Sequence, residues 1–416
     1  MALSYRDLAR EYGTPSYVYD GARLTEAMRR LRTWMHAGVE VFYSLKANPN
    51  VSVFGLLRAH GARAEVCSLG ELRTALMAGA VPDDIVFLGP GKGDEDLVAC
   101  LETGVYAIVC EAFDELDRIE YLAGERGLRQ RVLLRINPAT AAAGARLAMG
   151  GKPRQFGIDE AAVLAEKDLA HRYRNVDLAG VQVYAGTRIL DWRTVVANTR
   201  YTLDLAERVA TVTGMRLDAV DIGGGFGVPY FSGEDELDLA ALAEEMNPLI
   251  DVFLDRHSGT RIILESGRYL TADSGVYLVA VRSVKESLGK RFAVTDGGTH
   301  HHLAAVGLGS PLRRNFPISL VGSDDEPSGE WNVTGLLCTP DDTLGKGVAL
   351  PDLKPGDVLG VHQSGAYGLT ASPGLFLSHG FPAEVLVHDG RSYLIRARDE
   401  QDDLLRKQLH YDFDRR

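Results

Sequence analysis

The chain has 416 residues, 45% hydrophobic and 25% charged, with 45 Lys plus Arg against 57 Asp plus Glu, for a formal charge of −12 with histidine neutral. These average fractions exclude a disordered, collagen-like or coiled-coil chain, and the acidity argues against a nucleic-acid partner, which needs a basic footprint. At roughly 100–200 residues per domain the length suggests two or three domains, although one α/β barrel absorbs ~250 residues and leaves a large remainder to place.

Residues 1–13 are polar and charged, and no apolar run approaches the ~18 residues of a membrane span. A cytoplasmic chain without membrane association is expected. The four cysteines, Cys67, Cys100, Cys110 and Cys338, are widely spaced with no C-x-x-C pair, so neither a disulfide framework nor a structural zinc site is indicated.

In chain order, residues 16–19 read as a strand that precedes the first helix and is expected to pair with strands much later in the chain. Eight short apolar runs follow, at 41–45, 64–67, 85–88, 107–110, 132–136, 179–183, 219–222 and 262–264. Their β-branched, non-alternating content suits parallel strands covered on both faces. Segments with helical spacing lie between them, among them 70–78, 113–126 and 192–212. This alternation predicts an α/β fold with an N-terminal (β/α)8 TIM-type barrel over 22–274. The pattern then changes to strands and turns at 276–284, 291–294, 318–320, 332–337, 357–361, 383–387 and 392–395. Alternating residues and Gly, Pro and Asp breaks predict a C-terminal antiparallel β domain, formed by 275–416 together with 1–21.

Reactive residues of such barrels sit at the C-terminal ends of the strands. The first run closes with Tyr43-Ser44-Leu45-Lys46-Ala47-Asn48. A lysine there, with no acidic neighbour in sequence, is placed where desolvation lowers the amine toward a usable nucleophile; the alternative is a surface lysine with a snorkelling stem. The seventh run ends in Asp221-Ile222-Gly223-Gly224-Gly225-Phe226-Gly227, whose glycines let backbone N–H groups approach an anion, and barrels often hold phosphate after strands seven and eight. The run lacks G-x-G-x-x-G spacing and an early position, which excludes a dinucleotide site. Thr187, in Tyr184-Ala185-Gly186-Thr187 after the sixth run, offers a hydroxyl to the same phosphate.

The eighth run closes with Glu265-Ser266-Gly267-Arg268. A carboxylate here serves as a metal ligand, a general base, or the partner of a protonated heterocycle nitrogen. No second acid lies near it in sequence, and His300-His301-His302, if on a strand, would point to opposite faces, so no metal is expected. Lysine, glycine loop and carboxylate together describe pyridoxal 5'-phosphate: lysine to the aldehyde, glycines to the phosphate, carboxylate to the pyridine nitrogen. Arg135, closing the fifth run, either supports that network or is a plain ion-pair residue.

On these residues the chain resembles the fold type III (alanine-racemase-like) pyridoxal-phosphate decarboxylases, the family of diaminopimelate, ornithine and arginine decarboxylases. The likeness spans nearly the whole length. Tyr43-Ser44-Leu45-Lys46-Ala47-Asn48 is similar to the family's cofactor-lysine segment, and Glu65-Val66-Cys67-Ser68-Leu69-Gly70-Glu71-Leu72 to its second-strand motif. Gly223 to Gly227 is similar to its phosphate loop, and Glu265-Ser266-Gly267-Arg268 to its E-P-G-R element with Ser266 in place of proline. In the β domain, Cys338-Thr339-Pro340-Asp341-Asp342 and Gly365-Ala366-Tyr367 are similar to the segments that complete the site. The resemblance implies that Lys46 and Cys338 are catalytic, with Cys338 the acid that reprotonates the α-carbon in the other subunit's site. It implies cofactor contacts from Tyr184, Thr187, Gly223, Gly224, Gly225, Glu265, Gly267, Arg268 and Tyr367, and a homodimer with shared sites. Arg135, His301, Arg314 and Asp342 are the candidates for substrate contact.

Two departures bear on substrate. Tyr184 stands where the common family pattern has a histidine stacking on the cofactor ring, and Thr339 stands where an acid follows the cysteine. Losing that acid removes an anchor for a distal amino group, which argues against lysine, ornithine and diaminopimelate. The stretch 149–159 and Asp296-Gly297-Gly298-Thr299-His300-His301-His302 are similar to a narrower branch of biosynthetic-cluster decarboxylases. That branch includes exosortase-associated enzymes and those acting on glutamyl groups held by an acyl-carrier protein. An acidic carrier would need a basic patch, for which Arg313-Arg314 and Arg126-Arg129-Arg131 are the candidates. The expected activity is α-decarboxylation of an amino acid or a derived, carrier-bound intermediate. The alternatives are diaminopimelate decarboxylation, racemisation on the same cofactor, and cofactor binding without catalysis. A carboxylate at 265, where related racemases carry a cation, favours decarboxylation because it keeps the ring an electron sink.

Overall fold

The computed structural model describes residues 3–139, 147–148, 155–306 and 314–413, which divide into two units. Residues 149–154 of the branch-like stretch, and Arg313, lie outside the described residues.

The first unit runs from Arg23 to Thr271. Its strands are β1 (Val39–Ser44), β2 (Arg63–Val66), β3 (Ile85–Phe87), β4 (Ala107–Cys110), β5 (Gln130–Asn137), β6 (Val176–Gln182), β7 (Ala219–Asp221) and β8 (Arg261–Ser266). Each pairs in parallel with the next, and β8 pairs back onto β1 to close the barrel. The short strands are apolar without alternation because both faces are covered; β3, β4 and β7 are buried at every residue. Phe42, Val86, Tyr106, Leu133, Ala219 and Ile263 belong to one buried cluster, and each large side chain among them contributes about 1.5–3 kcal/mol by leaving water.

Local capping sets where the strand ends turn. The Ser68 hydroxyl accepts from the Glu71 amide to start the helix Leu69–Met77, and Glu71 Oε2 accepts from the Cys67 amide at 2.7 Å. The chain is thereby bent directly after β2, which fixes Glu65 at the barrel's C-terminal end.

The second unit joins residues 1–22 to 272–416. The strand Ser16–Asp20 lies between Gly275–Ser287, antiparallel, and Ala383–His388, parallel. The long-range pairing expected of residues 16–19 is therefore present. The antiparallel expectation needs correcting in detail, because Lys290–Thr295 and Gly329–Thr334 also pair in parallel. A strand at Thr343–Leu350 was not foreseen; Gly345, Lys346 and Gly347 interrupt its apolar pattern, and pairing with Gly329–Thr334 holds it extended. Leu8, Val18, Val276, Leu278, Val321 and Val385 share this unit's core. Among the described residues no helix is long and apolar enough to cross a membrane.

Gly180 in β6 packs so closely on β7 that a Cβ there would overlap the Ala219 carbonyl. Gly180→Ala is expected to destabilise by about 1–3 kcal/mol, lowering the melting temperature by roughly 2–4 °C per kcal/mol. Thermal unfolding followed by circular dichroism checks this.

Candidate active site

Polar residues close the buried strands, and the barrel gathers them at one end. Lys46 sits in the turn Leu45–Ala47 directly after β1. Its Nζ donates to Glu65 Oε1 of β2 at 2.7 Å; the lysine side chain is 38% exposed and the glutamate 1%. Lys46 therefore does have an acidic partner, one that its own sequence neighbourhood hid, because parallel strand neighbours are a βα unit apart. Burial alone would raise the Glu65 carboxyl, but the Lys46 charge and hydrogen bond bring it below the usual range. Cys67 Sγ donates to the same Glu65 oxygen at 3.1 Å.

Glu265 of β8 is equally buried and accepts from Gln182 Nε2, the last residue of β6, at 2.9 Å. Asp221, ending β7, accepts from the Gly223 amide at 2.9 Å. Glu265 thus also has acidic company. Burial first, then the Glu65 charge, pushes the Glu265 carboxyl up, and burial with Glu265 beside it pushes Asp221 well up. Asp221 is accordingly held protonated where Glu65 is ionised. Sequence reasoning assigned no role to Glu65, Gln182 or Asp221, although each lies at or near the end of an apolar run, the signal that singled out Lys46.

The glycine loop after β7 is wedged between its neighbours. Gly223 and Gly225 have φ of +67° and +89°, and a Cβ at Gly223, Gly224 or Gly225 would overlap the carbonyls of Val183, Glu265 or Gly186. The Gly223 carbonyl accepts from the Glu265 amide at 2.8 Å and that of Gly225 from the Ile189 amide at 2.9 Å. Among the described residues, no protein oxygen accepts from the Gly224 or Gly225 amide. Thr187 and Tyr184 stand beside this loop on the β6 side, and burial keeps the Tyr184 phenol protonated. Gly267 packs on Ser44 and Ala47, tying the end of β8 to the lysine turn. Arg268 Nη1 donates to the Tyr230 hydroxyl at 2.9 Å. Among the described residues, Gln182 Oε1 and Ser266 Oγ are buried without a protein partner. Unused amides on a glycine turn, an amine and a buried carboxyl suit the phosphate, aldehyde and ring nitrogen of pyridoxal phosphate.

Arg135 of β5 is paired: its Nη1 donates to Glu111 Oε1 at 2.8 Å, and Glu111 Oε2 accepts from the Gly157 amide. Another lysine of the barrel, Lys92, has a buried side chain bound to Glu115 at 2.6 Å. Arg126, Arg129 and Arg131 lie at the N-terminal end of β5, away from the strand ends that carry Lys46. Arg129 pairs with Asp177, and Arg131 donates to the Tyr106 carbonyl. As a carrier-facing patch beside the site they are ruled out.

Four of the remaining candidates, and Cys338, lie in the second unit. Cys338 is exposed, on a loop pinned from below by Asp342. Asp342 Oδ1 accepts from the Thr299 amide and hydroxyl at 2.7 and 3.0 Å, and Oδ2 from the Leu337 amide at 2.8 Å. His301 is buried with Nε2 on the Gly380 carbonyl at 2.7 Å and Nδ1 on the Tyr277 hydroxyl at 3.0 Å. Both of these residues fasten the second unit internally. Arg314 is exposed, and Tyr367 is half-buried with a φ of +56°. Among the described residues no group of three or more His, Cys, Asp or Glu side chains is arranged to hold a metal ion.

A (β/α)8 barrel with a lysine, a glycine loop and buried carboxyls on its C-terminal rim has the groups a pyridoxal-phosphate enzyme needs. Residues 22–272 match the family model for the pyridoxal binding domain of pyridoxal-dependent decarboxylases. The chain is 38% identical over 407 residues to the L-glutamyl-[BtrI acyl-carrier protein] decarboxylase of Niallia circulans, covering 97% of this chain and 95% of that one. It is 34% identical to a diaminopimelate decarboxylase of Methanothermobacter thermautotrophicus, covering 97% and 93%. The crystal structure of diaminopimelate decarboxylase from Helicobacter pylori complexed with L-lysine superposes with a TM-score of 0.86 at 28% identity, covering 97% of this chain and 98% of that one. The chain belongs to the pyridoxal-dependent decarboxylase family. It is a carboxy-lyase, and pyridoxal phosphate is its cofactor.

The raised Asp221 carboxyl has a consequence for stability. Between the unfolded aspartate value, about 3.9, and its higher folded value the native state binds the extra proton. Stability from this group therefore falls as pH rises through that window. Asp221→Asn keeps the acceptor for Gly223 without that loss. Denaturant titrations at several pH values are expected to show the variant gaining on the parent protein from about pH 4 upward; a difference independent of pH contradicts the assignment.

Proposed function

We propose that the protein decarboxylates the α-carbon of a glutamyl or closely related aminoacyl group held as a thioester on an acyl-carrier protein, in sites shared between two copies of the chain. The observation that carries this reading is the loop after Cys338. Thr339 has no charge, and both oxygens of Asp342 are engaged by Thr299 and Leu337. The loop thus lacks, at these two positions, the acid that a distal ammonium group needs. The 38% likeness to a glutamyl-carrier decarboxylase over almost the full length supports the same substrate class.

In this reading Lys46 is the residue that would hold the cofactor at its aldehyde, and Glu65 keeps the amine in place. The amides of Gly224 and Gly225, with Thr187 and Arg268, would receive the phosphate and Tyr184 the ring, and the family resemblance assigns Tyr367 to the phosphate as well. Glu265, oriented by Gln182, would accept a hydrogen bond from the protonated pyridine nitrogen. With pyridoxal phosphate bound, the electron pair released as CO2 leaves is held in its ring. Cys338 of the second copy would deliver a proton to the α-carbon, and Arg135 and Arg314 are the cations proposed for the substrate oxygens. The carboxylate at 265 keeps that ring a strong sink, which weighs against racemisation. The second reading, free diaminopimelate, rests on the 34% relative.

Mass spectrometry of CO2 loss separates the two. Faster turnover of a glutamyl-carrier thioester than of free glutamate or diaminopimelate is expected, and rapid turnover of diaminopimelate refutes the proposal. Cys338→Ala is expected to lower steady-state kcat by about 10²–10⁴ while leaving the cofactor's absorption spectrum unchanged.

A further inference from the structure

An ion pair joins the loop after β6 to the loop after β7, and the chemistry above does not use it. Arg188 directly follows Thr187, and its Nη2 lies 3.4 and 3.5 Å from the two carboxylate oxygens of Glu234. The two side chains are only 19% and 7% exposed. We propose that Arg188 and Glu234 are positioning residues, a clamp that holds Thr187, the glycine loop and Arg268 in register for one phosphate group. The clamp rests on the phosphate placement given under the proposed function.

Arg188 has a φ of +58°, a left-handed conformation that a residue with a side chain keeps only where its surroundings hold it. Two rings do so. The guanidinium carbon is 5.2 Å from the Tyr230 ring centre and 5.1 Å from that of Phe231, within reach of cation–π attraction to both. Tyr230 is fixed in turn, because its amide donates to Glu234 Oε2 at 3.1 Å and its hydroxyl accepts from Arg268 Nη1 at 2.9 Å. One loop, Tyr230 to Glu234, therefore holds the arginine that follows β6 and the arginine that follows β8.

The backbone beside this clamp is the phosphate cradle itself. The Ile189 amide donates to the Gly225 carbonyl at 2.9 Å, and the Gly227 amide to the Ile189 carbonyl at 2.8 Å. A Cβ at Gly225 would overlap the Gly186 carbonyl, so residues 186–189 and 225–227 are packed side by side. A shift of Arg188 then displaces the Thr187 hydroxyl on one side and the Gly225 amide on the other. Charge-assisted hydrogen bonds to a phosphate depend on alignment, so their strength falls with such a shift.

A direct role for Arg188 as a phosphate cation makes the opposite forecast in one variant. Glu234→Gln removes a negative charge from the neighbourhood of the phosphate, which by Coulomb's law strengthens binding if Arg188 acts through its charge. The clamp requires that the same substitution weaken binding.

The test is titration of the full-length chain, stripped of cofactor, with pyridoxal phosphate and with pyridoxal, which lacks the phosphate. The ratio of the two dissociation constants cancels any general loosening of the fold. Arg188→Gln and Glu234→Gln are each expected to weaken pyridoxal phosphate roughly tenfold with pyridoxal unchanged, and the double variant to be no weaker than either single one, because the pair acts as a unit. Stronger phosphate binding in Glu234→Gln, or equal losses for the two ligands, overturns the clamp. Thr187→Val separates the clamp from the placement beneath it. A selective loss there with none in the clamp variants overturns the clamp alone, and no selective loss in any of the three overturns the phosphate placement with it. Should the charge variants fail to fold, Phe231→Leu, which removes one ring face and no charge, decides by the same ratio: a selective loss supports the clamp and an unchanged ratio overturns it.

Discussion

Three carboxyl groups, Glu65, Asp221 and Glu265, are buried at one end of the barrel beside a single lysine, and their desolvation governs how that end is built. An ionised carboxylate costs several kcal/mol to bury even after relaxation, so one Lys46 does not support three charges. The cluster resolves this by dividing its protons. Glu65 is ionised against Lys46, Asp221 keeps its proton, and Glu265 is raised between them. Such a cluster is short of positive charge, and in the proposed site a protonated pyridine nitrogen supplies it. The same shortage explains why Gln182, which is polar and uncharged, orients Glu265.

The glycine loop and the strand ends depend on one another. The Gly224 and Gly225 positions exclude side chains because the Glu265 and Gly186 carbonyls already occupy the space, so the loop is locked to the strand that carries the central carboxylate. The second unit uses a comparable fastening, in which one buried aspartate, Asp342, fixes the loop of Cys338 to the turn before His300. In the proposed reaction this pinned loop carries the proton donor.

Legibility in the sequence followed local physics. Strands covered on both faces must be apolar throughout, so all eight barrel runs were visible, and the residues closing them marked the rim. Partnerships across the barrel were not visible. Lys46 and Glu65, or Gln182 and Glu265, meet only because β1 and β2, or β6 and β8, converge at the same end. Thr343–Leu350 was missed because its stability comes from pairing and not from its glycine-rich composition. Arg126, Arg129 and Arg131 looked like a charged patch, yet the direction of β5 puts them at the opposite end. Asp342 and His301 carried reactive groups in the sequence, and their internal hydrogen bonds became visible only in the fold.

The central claim is that Lys46, and no other lysine, carries the cofactor. Borohydride reduction of the native holoenzyme followed by peptide mass spectrometry tests it directly. The pyridoxyl mass is expected on the peptide containing Lys46 and on no other. Its appearance on Lys92, whose side chain lies buried against Glu115, or its absence from every lysine, contradicts the account.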